Sequence, residues 1–148
     1  MNPTTITELR HAVAAPALAN RFIVKVSSDL EEDVQRYQAI LQNLVSVNVA
    51  KIPAKNNFGL MVPTLATVRV QLDEDGTVLV ALMSLLHTHE PVDIEVVYID
   101  AQGDPTSILE LGDCVLSDIA LPAVDYTVSK PMVAIITFYV TTVAASLA

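Results

Sequence analysis

Residues 66–87 read ATVRVQLDEDGTVLVALMSLLH, and the pattern changes period once along them. Ala66, Val68, Val70 and Leu72 alternate with Thr67, Arg69 and Gln71. Alternation at period two predicts a strand with one buried and one wet face. Asp73-Glu74-Asp75-Gly76 then breaks the chain. Thr77 to His87 reads as a helix that is apolar nearly all round, which predicts burial on most sides. Asp75 or Thr77 is expected to cap its N-terminus, and His87 suits its C-terminal end.

Further strands lie on either side. Arg21 to Val26 alternates with Phe22, Val24 and Val26 on one face. Val45 to Val49 alternates as well. Val92 to Asp100 and Ser107 to Leu116 flank the turn Gln102-Gly103-Asp104-Pro105 and predict a hairpin. Leu121 to Pro131 reads as a loop. Met132 to Val143 is a strand apolar on both faces, so it is expected to be central or covered twice. Asp29 to Leu44 fits two patterns. Leu30, Val34, Tyr37, Leu41 and Leu44 have helical spacing, with Asp29 as a possible cap and acidic residues in the first turn, but a strand starting at Val34 fits too.

Two segments fit no regular element of the core. Residues 1–19 read as an N-terminal arm, with a short helix from Thr5 to Val13. Residues 51–63, KIPAKNNFGLMVP, form a long loop that carries Ile52, Phe58, Leu60, Met61 and Val62. Apolar side chains on a loop need a surface to bury them, and another chain can supply it.

The chain has 148 residues, which fits one domain. Apolar residues make up 52% and charged residues 17%, against a usual charged share of about 25%. Disorder is excluded, and the apolar excess exceeds what one small core hides. The formal charge is -9. Residues 1–69 carry seven basic and five acidic side chains, and residues 70–148 carry Lys130 alone against twelve acidic ones. That balance argues against binding nucleic acid through its phosphates. An uneven charge also suits a surface that meets a complementary one.

Little in the sequence points to catalysis. His87-Thr88-His89-Glu90 offers two imidazoles and a carboxylate, but no third distant ligand is identifiable. Asp73-Glu74-Asp75-Gly76 lacks the twelve-residue calcium pattern. Asp93 and Glu95 face one way on a strand and read as solvated carboxylates rather than an acid–base pair. Ser84, Ser107 and Ser117 have no nucleophile-elbow context. Cys114 is the single cysteine, which excludes an internal disulfide and reads as a small buried apolar residue. No catalytic residue, metal site or cofactor is expected. The first residues show no apolar signal-peptide core. The uncharged stretch from Pro131 to Ala148 has the length of a membrane anchor but the chemistry of strands, so no membrane insertion is expected.

The order of elements and several local patterns resemble the tail tube proteins of contractile-tailed bacteriophages and the tubes of related contractile injection systems. The likeness runs from about Asn20 to Val143. Arg21 to Val26 looks like the opening strand of that family, and Val49-Ala50-Lys51-Ile52-Pro53 like the lead into its long loop. Val68 to Leu72 with the helix Thr77 to His87 resembles its only regular helix. Ala120-Leu121-Pro122 and the strand containing Phe138 resemble its C-terminal end. The helix is more apolar than usual, and Pro131 stands where an acidic or polar residue is expected.

The resemblance implies a single domain over residues 1–148: a mainly β, antiparallel sandwich or barrel with one flanking buried helix. It also makes residues 34–49 strand. Six copies would form a ring, and rings would stack head to tail into the inner tube of a phage tail, a conduit for DNA ejection without specific DNA binding. Partners would be further copies of the chain, a surrounding sheath protein, and baseplate and tail-terminator proteins. The place would be the virion, with assembly in the host cytoplasm. Ile52, Phe58, Leu60, Met61 and Val62 are then expected at a subunit interface. Thr67, Arg69 and Gln71 are expected to face the lumen, with Arg69 neutralised by a nearby carboxylate. The alternatives are the tube of a contractile injection or secretion system and, from a different class, a small β-barrel binding an apolar ligand in its core.

Overall fold

The chain's alternating segments each have one apolar face, and pairing them antiparallel brings those faces together. A computed structural model describes residues 17–49, 51–53, 64–88 and 90–148. Its elements are β1 (Phe22–Ser27), α1 (Glu31–Leu41), β2 (Leu44–Val49), β3 (Thr64–Gln71), α2 (Thr77–Leu85), β4 (Val92–Ile99), β5 (Pro105–Ala120), β6 (Val133–Val140) and β7 (Thr142–Leu147). The strands run in the order β1-β4-β5-β6-β3-β2, all antiparallel, with β7 paired to the first half of β5. The fold is mainly β, as expected, but the sheet does not close, and two helices accompany it rather than one.

The 16-residue β5 belongs to two layers. Its first half pairs β4 and β7, and its second half pairs β6. Between them the chain turns at Gly112 and Asp113, where the register with β4 shifts. Asp113 takes a left-handed φ of 49°, which Asp tolerates better than most residues. Its N–H donates to Asp93 Oδ1 at 2.9 Å, and its carbonyl accepts from the Thr141 hydroxyl at 3.0 Å. Thr141 also separates β6 from β7, so the expected last strand is two strands, one in each layer. β6 is central, lying between β3 and β5.

The core sits between the layers. Phe138, Ile136 and Ala134 of β6 and Ala66, Val68 and Val70 of β3 are buried against Leu82 and Leu85 of α2 and Ile94 and Leu111 of the other layer. The Tyr37 ring lies 6.2 Å from that of Phe138, tilted by 40°. The cavity between Val24, Tyr37, Ile40 and Phe138 measures about 10 Å³, room for one water and no ligand. The ligand-binding barrel therefore loses its central requirement there. Among the described residues no helix is long and apolar enough to cross a membrane, and the chain after Pro131 forms β6 and β7.

Residues 31–41 are helix, which overturns the strand that the resemblance implied from residue 34 as far as residue 41, while residues 44–49 are strand, as β2. Helical spacing places Asp33, Tyr37 and Ile40 on one buried face. Glu31, Glu32 and Asp33 also occupy the first turn, where the helix dipole favours negative charge. Asp29 does not cap it; the N-cap is Leu30, whose N–H donates to Ser28 Oγ at 3.3 Å. Asp33 is buried, accepts from Arg36 Nη1 at 2.9 Å, and among the described residues finds no partner for its second oxygen.

The second helix also differs from expectation. It buries Val78, Ala81, Leu82 and Leu85, while Leu79, Val80 and Leu86 face outward. A helix of this length lying on a sheet buries one face only. Neither Asp75 nor Thr77 caps it. Gly76 stands at the N-cap with φ 76°, and Asp73 Oδ1 accepts from the Val78 N–H at 3.1 Å. The expected arm helix and most of the expected long loop fall in residues 1–16 and 54–63, outside the described residues.

Cys114 is fully buried, and its thiol donates to the Leu111 carbonyl at 3.3 Å. Burial first, then the charge of Asp93, push the thiol up from about 9 to about 12. Burial also raises the Tyr37 hydroxyl, with Asp33 and Cys114 adding to the effect. Both groups fold in their neutral forms, so their contribution is whole below their unfolded values and is lost as pH rises through the folded ones. Urea midpoints are therefore expected to fall between pH 9 and 12, and Cys114→Ala is expected to flatten that fall; identical pH profiles in both proteins would contradict it. Phe138→Ala is expected to cost about 3–5 kcal/mol, read from chemical denaturation, and a loss under about 1 kcal/mol would contradict its central place.

Candidate assembly surface

The outward face of the layer β2-β3-β6-β5 follows from the same alternation that buries its other side. Thr67, Arg69 and Gln71 all point away from the core on β3, with Arg69 and Gln71 exposed. Arg69 stands between Ser46 of β2 and Ile135 of β6. Thr67 stands between Asn48 and Thr137, and Thr137 is opposite Asp118 of β5. Among the described residues of the single chain, no acidic oxygen lies within 4.0 Å of Arg69. Register explains this, because Asp118 sits two strands away in the neighbouring row.

One further row on this face was not anticipated. Leu65, Tyr139 and Val115 are opposite one another across three strands, and each is more than two-fifths exposed. The signal was present in the phase of the alternation, since Leu65 falls in step with Thr67 and Arg69 rather than with Ala66. The β5–β6 loop adds Leu121, Val124 and Tyr126, also exposed. A neutral strip of this kind in an acidic chain marks a surface meant to be covered.

The opposite layer presents charge. Lys25, Glu95, Glu110 and Ala144 form a row across β1, β4, β5 and β7. Glu95 and Glu110 face each other directly, a pairing that costs stability in an isolated sheet. Asp93 is occupied in holding the Asp113 N–H, so the two carboxylates of β4 have different tasks.

Of the five residues expected at a subunit interface, Ile52 is described and is 54% exposed. Phe58, Leu60, Met61 and Val62 lie outside the described residues. His87 is exposed in the turn after α2, and His89 also lies outside. Among the described residues no three His, Cys, Asp or Glu side chains form a metal-binding group. β1 pairs only with β4 and β2 only with β3 among the described residues, so each presents a free edge. Free edges and covered faces bind other backbones and other apolar surfaces.

No family model matches the chain, and no curated protein matches it. Solved structures do match in fold. A chain of the sheath–tube complex of the extracellular contractile injection system PVC, in its extended state, covers all of this chain over 99% of its own length, with a TM-score of 0.60 and 17% identity. A chain of the PVC sheath/tube terminator covers 91% of this chain over 99% of its own, with a TM-score of 0.60 and 18% identity. A chain of the anti-feeding prophage baseplate covers 90% over 97%, with a TM-score of 0.61 and 8% identity. Over nearly the full length of each, this chain has the fold of chains in contractile injection systems, the group to which its resemblance to tail tube proteins pointed.

Proposed function

We propose that the chain is the inner tube protein of a contractile tail-like machine, a structural rather than catalytic role. The observation that carries this reading is the end-to-end match to a chain of a sheath–tube complex. Six copies close into a ring, and rings stack head to tail into a hollow tube. A surrounding sheath protein, a baseplate and a terminating cap are its partners, in keeping with the assemblies that contain its fold relatives. The tube belongs to a tail particle assembled in a host cell. Those relatives favour the tube of an injection system over the DNA conduit of a phage tail. The acidic charge of -9 suits either, since it repels a passing DNA backbone.

Two details complete the reading. Phe58 and Leu60 of the 51–63 loop, with Ile52, Met61 and Val62, pack against a neighbouring subunit. Thr67, Arg69 and Gln71 line the lumen, which the outward position of these residues on β3 supports. A closed ring of sheets needs one strand face toward its channel.

Negative-stain microscopy of the purified protein is expected to show rings or tubes. The double variant Phe58→Ser/Leu60→Ser is expected to remain a folded monomer. A single monomer mass in sedimentation across high protein concentration and several salt conditions overturns the tube; tubes at normal yield from the double variant overturn the loop contact. For the lumen, Thr67→Cys in a Cys114→Ser background is expected to react with a bulky maleimide at least tenfold more slowly in tubes than in free subunits, and equal rates would place this face outside the channel.

A further inference from the structure

The layer β2-β3-β6-β5 is apolar at both ends of the same strands. At one end stands the row Leu65, Tyr139 and Val115, exposed by 42%, 49% and 42%. At the other end the β5–β6 loop carries Val124, 88% exposed, and Tyr126, wholly exposed. Tyr139 and Val133 mark the two ends on β6, six positions and about 20 Å apart. The loop is shaped rather than loose at Tyr126. Asp125 Oδ1 accepts from the Thr127 N–H at 2.9 Å and from its hydroxyl at 2.8 Å, and the loop's far side is tied where the Leu72 N–H donates to the Met132 carbonyl at 2.8 Å.

Each end also carries a single exposed charged side chain that a partner can reach, beside Asp125, which is engaged with Thr127. Lys130, in the loop, is the single basic residue after Arg69. Asp113, two residues before Val115, is exposed, and among the described residues it takes part in no ion pair. Two dissimilar apolar patches at opposite ends of one set of strands cannot cover each other within a chain. They can do so between copies related by a shift along the strands. Such a contact leaves a free patch at each end of the pair and so propagates.

We propose that the β5–β6 loop of one copy covers the Leu65–Tyr139–Val115 row of a second copy, with Lys130 set against Asp113. The inference rests on the tube reading above and names the joint between its stacked rings. Tyr126 is the anchor, because a large ring with full exposure gains most from being covered.

The test uses two variants of the full chain, Tyr126→Cys and Tyr139→Cys, each retaining the buried Cys114. They are assembled separately and as a mixture, then oxidised. Disulfide-linked dimers are expected in the mixture and not in either variant alone. Dimers at equal yield from one variant alone would mean that like meets like, which overturns the joint. Tubes in the mixture without dimers overturn the joint and leave the tube reading standing, whereas an unmodified chain that forms no tubes removes both. As a second measurement, Lys130→Glu is expected to raise the concentration needed for assembly about two- to fivefold with an unchanged circular-dichroism spectrum. An unchanged concentration counts against the Lys130–Asp113 contact.

Discussion

β5 serves both layers of the molecule, and the remaining strands depend on how it turns between them. The turn is tight. A Cβ at Gly112 would overlap the Thr142 hydroxyl, which would have to rotate away. The next residue, Asp113, is held by its N–H to Asp93 and by its carbonyl to Thr141. These two bonds join β4, β5 and the β6–β7 junction at one corner. Without the corner, β4 and β7 would lie in the same plane as β6, and Ile94 and Leu111 would not face Phe138 across a core. The carboxylate of Asp93, set among wet-face residues of β4, thus has a structural task that its pattern alone does not reveal.

Strand alternation carried most of the fold. Ala66 to Leu72, Arg21 to Val26 and the hairpin around Gly103 were legible because each has one buried face and a turn at its end. The resemblance misplaced residues 34–41 as strand where spacing alone had left a helix open. Helical spacing and strand alternation overlap over short apolar runs, and the burial of Tyr37 and Ile40 decided between them. The corner in β5 was not legible, since a left-handed Asp113 has no local signature. The break at Thr141 was hidden too, because it depends on bonds to a segment almost thirty residues earlier.

The surface was legible in part. The wet face at Thr67, Arg69 and Gln71 came directly from the alternation. The apolar row of Leu65, Tyr139 and Val115 did not, because it is assembled from three strands and exists only once their register is known. The apolar excess in the composition had signalled that some such surface must exist. Part of it lies in that row, on the outer side of α2 and in the β5–β6 loop, and the rest is scattered over positions such as Ile23, Val45 and Ile52. Each of these is a place where apolar side chains of the chain meet water at a cost in free energy.

The pairing of β3 with β6 has a consequence for how the chain is made. Thr64 meets Val140 and Gln71 meets Val133, so the inner partner of β3 is synthesised long after β3 itself. Until β6 emerges from the ribosome, β3 has β2 on one edge and nothing on the other, and the apolar faces of β3 and α2 have no Phe138 to cover them. Contacts this distant in sequence also form slowly. The nascent chain therefore passes through a stage with an open strand edge while neighbouring chains are being translated nearby. The distance in sequence between β3 and β6 thus sets how long an apolar face and a strand edge stay open during folding.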